Sequence, residues 1–488
     1  MATSVTGTGS ISSAGIGSGL DVASIVTSLM AVEQRPLKQL QTQASQLAAR
    51  LSTVGKLQAH FSALQAKANA LTSPTLWNST LATSSDSAAV KVSTGTDATP
   101  GNYSVAVSRL ALGQTISSSA LASSSSTLGA GMLTIELGSY GGGVPPTSFT
   151  GKSGAPAISL AIGEGESSLA ALRDRINAAG AGVTASLVSD ASGTRLSLRS
   201  KDTGAENAFR ISVAETNDDG NAATGLSALA FDATAASSPM LRTASAGNAE
   251  LTVNGITLSS ASNTLTDVVD GLTLSLQKTT TSDIDITVAA DTVSVKTALT
   301  GLVEAFNTLA TFLRSQTAYN ADSKTGGALQ GDQATLALQS QLRSVLNESS
   351  SGSATWSRLS EIGLALKSDG TLETNAGKLD NALGNLGELK KLLATDGLGS
   401  ADSGFARRFK RLSDAALGND GVFQSRTDSI QASVSRNSKS QDSMQRRLAL
   451  TEARMRAQYS ALDTTMASLN SLSSYMTQQI AQSNKRIV

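Results

Sequence analysis

His60 is the side chain that any hydrolytic triad in this chain would have to use, because the sequence holds one histidine and no cysteine. A Ser-His-Asp relay needs that imidazole poised between a hydroxyl and a carboxylate. His60 instead sits inside a run of apolar residues at helical spacing, beside Phe61, and reads as the solvated flank of a packed helix. With one imidazole and no thiolate, zinc and haem sites lose their usual ligands. Disulfides are excluded outright.

The remaining chemical candidates are weaker. Gly151-Lys152-Ser153 has the ending of a phosphate-binding loop, but that motif needs a glycine where Pro146 stands. The glycines of Gly15-Ile16-Gly17-Ser18-Gly19 have the wrong spacing for a dinucleotide fingerprint, and no strand precedes them. Asn217-Asp218-Asp219-Gly220 resembles the start of a calcium loop but lacks the distal carboxylate, so it reads as a surface turn. A carboxylate pair for glycoside hydrolysis is a spatial matter, yet an aromatic content of 3% leaves few rings to grip a sugar. The expectation is a non-enzymatic chain with no catalytic, metal or cofactor-binding residues and no cofactor.

The elements that would have positioned such groups have a plainer purpose. Lys plus Arg and Asp plus Glu both number 38, so the net charge is zero and the basic footprint of a nucleic-acid binder is missing. The first basic residue is Arg35, which leaves no signal-peptide n-region, and no apolar run approaches a membrane span. The chain is therefore expected to be cytosolic or to be exported without a cleaved leader. Its 488 residues suggest about three domains.

Residues 1–19, rich in Ser, Thr and Gly, read as a disordered tail. Asp21 can cap a short helix with Val22, Ile25, Val26 and Leu29 on one stripe, ended or kinked by Pro36. From Leu37, the series Leu40, Ala44, Leu47, Leu51 and Val54 alternates steps of three and four, as in a coiled-coil seam. After a slip it resumes as Leu57, Phe61, Leu64, Ala68 and Leu71. The other end mirrors it: Ile430, Val434, Asn437, Gln441, Met444, Leu448, Thr451 and Met455, then Tyr459, Leu462, Met466, Leu469, Ser473, Met476 and Ile480. Polar seam residues weaken such a stripe while restricting its register. Neither terminal helix can bury its stripe alone.

The middle alternates with period two, as in Tyr103/Val105/Val107, Leu196/Leu198, Leu272/Leu274/Leu276 and Ile284/Ile286/Val288, and reads as strands. Asn254-Gly255 fits a two-residue hairpin turn, and Pro100-Gly101 a type II turn. The Ser- and Gly-rich stretches 117–131 and 233–247 read as linkers around an inserted domain, which contains a helix over 168–178. Helical spacing returns after about residue 291.

Several of these segments resemble one family in the right order. GIGSGLDVASIVTSLMAVEQRPL (15–37) and RMRAQYSALDTTMASLNSLSSYMTQQI (454–480) are similar to the terminal signatures of flagellar hook-associated protein 2, the filament-cap family. PGNYSVAVSRLA (100–111), the "IN" module over 168–204, and segments 263–276, 327–343 and 359–383 resemble further family segments. The resemblance implies an α+β multidomain fold, in which terminal coiled-coil helices and a helical domain form a stalk. β-rich domains, one inserted in the other, lie at its far end. The boundaries expected are a terminal leg (1–40 and 450–488), a helical stalk (41–84 and 291–449), a β-rich head (85–120 and 242–290) and an inserted β-rich domain (121–241).

It further implies a structural cap at the distal end of the bacterial flagellum that retains exported flagellin and promotes its insertion. Its partners would be further copies in a homo-oligomeric ring, flagellin, hook-filament junction proteins and a flagellar export chaperone, with no nucleic acid and no membrane insertion. Export would run through the flagellar type III apparatus to the extracellular tip. Leu29, Leu37, Leu40, Leu47, Met455, Tyr459, Leu462, Met466, Leu469, Met476 and Ile480 are the expected coiled-coil or filament contacts. Alternative readings are a surface adhesin for host mucin, or another axial component such as a hook-filament junction protein.

Overall fold

A computed structural model describes residues 21–322 and 324–485, and these fall into two compact units, 1–76 with 292–488 and 77–291. The predicted tail before residue 20 lies outside the described residues.

The first unit is helical. Asp21 caps α1 (Val22–Glu33) by accepting the Ser24 N–H at 2.9 Å, as its position before an apolar run predicts. After one turn residue, Gln34, the chain re-enters helix as α2 (Arg35–Thr72), with Pro36 in the first turn. Proline is tolerated there because that N–H has no intrahelical acceptor. α2 spans ~57 Å at 1.5 Å per residue. The short α3 (Pro74–Asn78) leads into the second unit.

The second unit holds β1–β16 and α4 (Leu169–Ala178), and all its strand pairs are antiparallel. One five-stranded sheet runs β1 (Thr80–Ser84), β16 (Ile284–Ala290), β3 (Gly101–Arg109), β12 (Ala249–Val253), β13 (Ile256–Ser260). A three-stranded sheet of β14 (Thr264–Val269), β15 (Leu272–Leu276) and β2 (Val90–Thr94) packs with it around Val105, Leu251, Leu274 and Ile286. The predicted Asn254-Gly255 hairpin is present: both residues have positive φ, 49° and 80°, and Val253 pairs with Ile256. Pro100-Gly101 is not a type II turn. Gly101 already belongs to β3 and pairs with Val288, so its backbone is committed to the ladder and takes no positive φ.

A second core lies within the same unit. Its sheets are β10 (Ala208–Glu215), β5 (Gly131–Gly141), β6 (Ser148–Gly151) and β7 (Ile158–Ile162), and β11 (Leu241–Ala244), β4 (Thr115–Ser117), β9 (Gly193–Ser200) and β8 (Val183–Asp190). They enclose Ile116, Leu133, Leu196 and Phe209, together with Leu169, Leu172 and Ile176 of α4. The helix predicted over 168–178 is present as α4, and Ser168 caps it through the Ala171 N–H at 3.2 Å. The stretches 117–131 and 233–247 are not free linkers. Ser118, Leu121 and Leu128 bond to Leu196, Thr194 and Ser167, Leu128 is buried, and β11 pairs with β4. Serine and glycine there satisfy backbone groups inside the fold rather than loosening the chain.

The chain returns to the helical unit as α5 (Thr292–Thr317), α6 (Gln333–Asn347), α7 (Ala376–Leu383), α8 (Leu386–Ala394), α9 (Phe405–Leu417) and α10 (Val422–Lys485). The second half of the α2 stripe, Leu57, Phe61, Leu64, Ala68 and Leu71, is wholly buried against α5, α9 and α10. Its centre is aromatic: Phe61 meets Phe423 at 5.2 Å and Phe306 meets Phe409 at 5.9 Å between ring centroids, both edge to face. Asp332 caps α6 and forms an ion pair with Arg426 of α10.

Candidate assembly interface

The side chains weighed for chemistry have structural partners. His60 is half-buried rather than a solvated flank, because α5 packs alongside and Phe312 faces its ring at 4.7 Å. Gly151 ends β6, and Lys152 donates to Asn207 Oδ1 at 2.5 Å, so the phosphate-loop lookalike is a strand terminus. Asp219 accepts from the Thr224 hydroxyl and the Asn221 N–H, which hold its carboxyl below the usual range. The exposed Asp218 and the half-buried Glu215 at the end of β10 complete an acidic cluster around this turn.

The long terminal helices carry the more informative geometry. α1 folds back onto α10, where Val22, Val26, Met30 and Leu448 form a small buried cluster flanked by Leu37, Met444, Met455 and Tyr459. Residues four apart line one helix face, so the buried series is Val22-Val26-Met30. Leu29 is displaced around the axis and stays exposed. Leu40 and Leu47 are half-buried along the first part of α2.

A polar layer sits one step further in. Asn437 is 6% exposed and donates through Nδ2 to Leu40 O at 3.1 Å and Gln43 Oε1 at 3.0 Å. Gln441 Nε2 donates in turn to Asn437 Oδ1 at 2.5 Å. A satisfied polar group in an apolar seam costs little where it stands and much if the helices slide, so it marks register.

Beyond Tyr459 the cover ends. Leu462, Leu469, Met476 and Ile480 are roughly half exposed, while Met466 is half-buried. Leu472 and Tyr475, each 57% exposed, join the same apolar surface. Sequence reasoning passed over these two because they fall between seam positions. Their signal was the lack of charge: between Leu462 and Ile480 the only ionisable side chains are Asp463 and Tyr475. The intervening hydroxyls turn inward to their own helix, with Thr465 donating to Ala461 O, Ser468 to Thr464 O and Thr477 to Ser473 O. Such a helix face is suited to packing against another helix.

Comparison with known proteins agrees with this geometry. The family model "Flagellar hook-associated protein 2 N-terminus" matches residues 18–114, and its C-terminal counterpart matches 246–471. The "Flagellin hook IN motif" matches 148–202. The chain is 34% identical to flagellar hook-associated protein 2 of Escherichia coli (strain K12), over 96% of this chain and 98% of the relative. It is 29% identical to the B-type protein of Pseudomonas aeruginosa, over 96% and 97%. The crystal structure of the D1-D2-D3 domains of the E. coli flagellar cap protein FliD aligns with a TM-score of 0.57 at 31% identity, covering 78% of this chain and 99% of that one. A helical unit whose termini pair along α1 and α10, a β-rich unit inserted between its two halves in sequence, and end-to-end similarity together establish that this chain belongs to the flagellar hook-associated protein 2 family.

Proposed function

We propose that this chain is a structural cap at the distal end of the bacterial flagellar filament, retaining exported flagellin and admitting it to the growing end. The family is one of structural flagellar proteins, and a solved member is titled a flagellar cap protein. The observation that carries the reading is the uncovered apolar face of α10 from Leu462 to Ile480, which needs a helical partner that this chain does not supply among its described residues.

In this reading the partner is flagellin or a neighbouring axial subunit. Leu37, Leu40, Leu47, Met455 and Tyr459 hold the leg together, and the exposed Leu29 with Leu462, Met466, Leu469, Met476 and Ile480 seats it. Several copies form a ring. Methionines on the outer face let each leg repack against its partner as successive insertion sites open. Contacts with hook-filament junction proteins and an export chaperone, and passage through the flagellar type III apparatus, complete the proposal.

The test is electron microscopy of cells lacking the gene, with an assay for flagellin in the medium. Hooks without filaments, flagellin lost as monomer, and regrowth on adding the purified protein are expected. Normal filaments in those cells would overturn the reading.

A further inference from the structure

β8 is an edge strand, hydrogen-bonded on one side only, to β9. Lys201 donates to Gly182 O across that pair, so the even-numbered residues of β8 turn their backbone groups toward β9. Val183, Ala185, Leu187 and Ser189 therefore turn theirs outward. An open edge of this kind is a template for another strand, and proteins usually blunt it with lysine, proline or a bulge. Residues 183–189, Val-Thr-Ala-Ser-Leu-Val-Ser, contain no charge and no proline, and their register with β9 is unbroken. Val188 adds a side chain that is 54% exposed.

One side chain occupies that edge. Asn177, in the last turn of α4, donates through Nδ2 to Ala185 O at 2.9 Å, and its Oδ1 accepts the Ala185 N–H at 2.7 Å. This is the pair of bonds an incoming strand would make opposite Ala185. The return from helix to strand is tight, with Gly180 at φ 67° and Gly182 at φ 70°. A Cβ at position 182 would come within 2.5 Å of Leu137, so the turn that delivers Asn177 to the edge depends on glycine. Asn177 is exposed while Ala185 is buried, which puts the amide on the outer side of the strand rather than in the core.

We propose that Asn177 closes the β8 edge against a second copy of this chain, so that copies cannot associate by antiparallel β8–β8 pairing. Such pairing would be two-fold and self-complementary, and would compete with any ring-forming contact.

The absence of native cysteine allows a direct test in the full chain. Ser186 lies near the middle of β8, and an antiparallel pair centred on it would bring the two Cβ atoms within disulfide reach. Under mild oxidation, the S186C single variant is expected to stay uncrosslinked, and S186C with Asn177→Ala to form at least about tenfold more disulfide dimer, as follows from freeing one edge donor and one acceptor. Amide exchange at Ala185 should quicken in parallel. Asn177→Asp keeps the acceptor and loses the donor, preserves the side-chain shape, and is expected to give an intermediate level. It also serves if the alanine variant fails to fold. Folded variants whose crosslinking and sedimentation match the parent would overturn the proposal. So would equal crosslinking in S186C alone, since the edge would then be open with Asn177 in place.

Discussion

Asn437 of α10 donates to the backbone carbonyl of Leu40 in α2 at 3.1 Å, a bond between residues 397 positions apart in sequence. The same amide bonds Gln43 and receives Gln441, so one buried side chain ties the two ends of the chain at a single register. Polar residues in this seam could have been a simple weakening of the stripe. At Asn437 they form a satisfied network, which costs stability mainly when it is broken.

Replacing Asn437 with Ala should lower stability by about 1–2 kcal/mol, the cost of stripping partners from buried polar groups. Urea unfolding of the full chain measures this, and an unchanged midpoint would contradict it. Asn437→Leu strips the same partners but fills the seam with apolar contact, and should leave stability nearer the parent than Asn437→Ala. It removes the register mark, and filaments capped by it should grow more slowly.

Leu448 closes the small cluster with Val22, Val26 and Met30. Leu448→Ala is expected to cost about 2 kcal/mol, the low end for such truncations because the cluster lies at the edge of the helical unit. The visible effect should be early release of α1, read as faster proteolysis near Val22–Glu33 with the rest of the unit intact.

The outer face of α10 predicts the opposite pattern. Leu469→Glu and Met476→Glu alter residues that are 54% exposed, so the thermal midpoint should hold within a degree or two, since exposed substitutions away from packing change stability by about 0.5 kcal/mol or less. Filament regrowth on adding the purified variants to cap-deficient cells should fail. Full regrowth would remove this face from the proposed seat.

Asp332 both caps α6 and pairs with Arg426. Asp332→Ala removes the cap and strands a guanidinium in a partly buried position, for a combined loss of about 2 kcal/mol or more. Asp332→Asn keeps the cap and should recover about half of that in the same unfolding measurement.

Tyr140 carries a pH prediction. Burial raises its phenol from 10.0 to about 12, while its oxygen sits between Phe209 O and the Ala233 N–H. The raised folded value means that the unfolded chain releases this proton first as pH rises. Its contribution to stability is therefore complete below pH 10 and is lost progressively through about 12. Ultraviolet difference titration should show one tyrosine ionising late, and Tyr140→Phe should flatten the alkaline fall in stability.

Much of this molecule is legible in the residues themselves. Asp21 and Ser168 announce their helices because a short polar side chain before an apolar run has an N–H to accept. Asn254-Gly255 fixes its hairpin because both positions tolerate positive φ. The three-four spacing from Leu37 to Leu71 determines which face of α2 is apolar, and resemblance over nearly the whole chain supplied the family. Local preference misled at Pro100-Gly101 and in the Ser-rich stretches, where strand pairing claimed backbone that looked free.

What periodicity could not determine is which parts of a stripe are covered. Leu448 and Leu462 are the same residue type on the same helix, yet one is buried and the other is 46% exposed. The difference is that α1 packs beside the first and not beside the second. The same holds for Met30 against Leu29, and for Asn177, whose value at the β8 edge depends on a glycine turn that brings helix and strand together. A sequence sets the chemistry of each face through side-chain type and helical or strand period. Burial is a property of pairs of elements, and only the tertiary arrangement decided where each face meets another and where it is left for a partner.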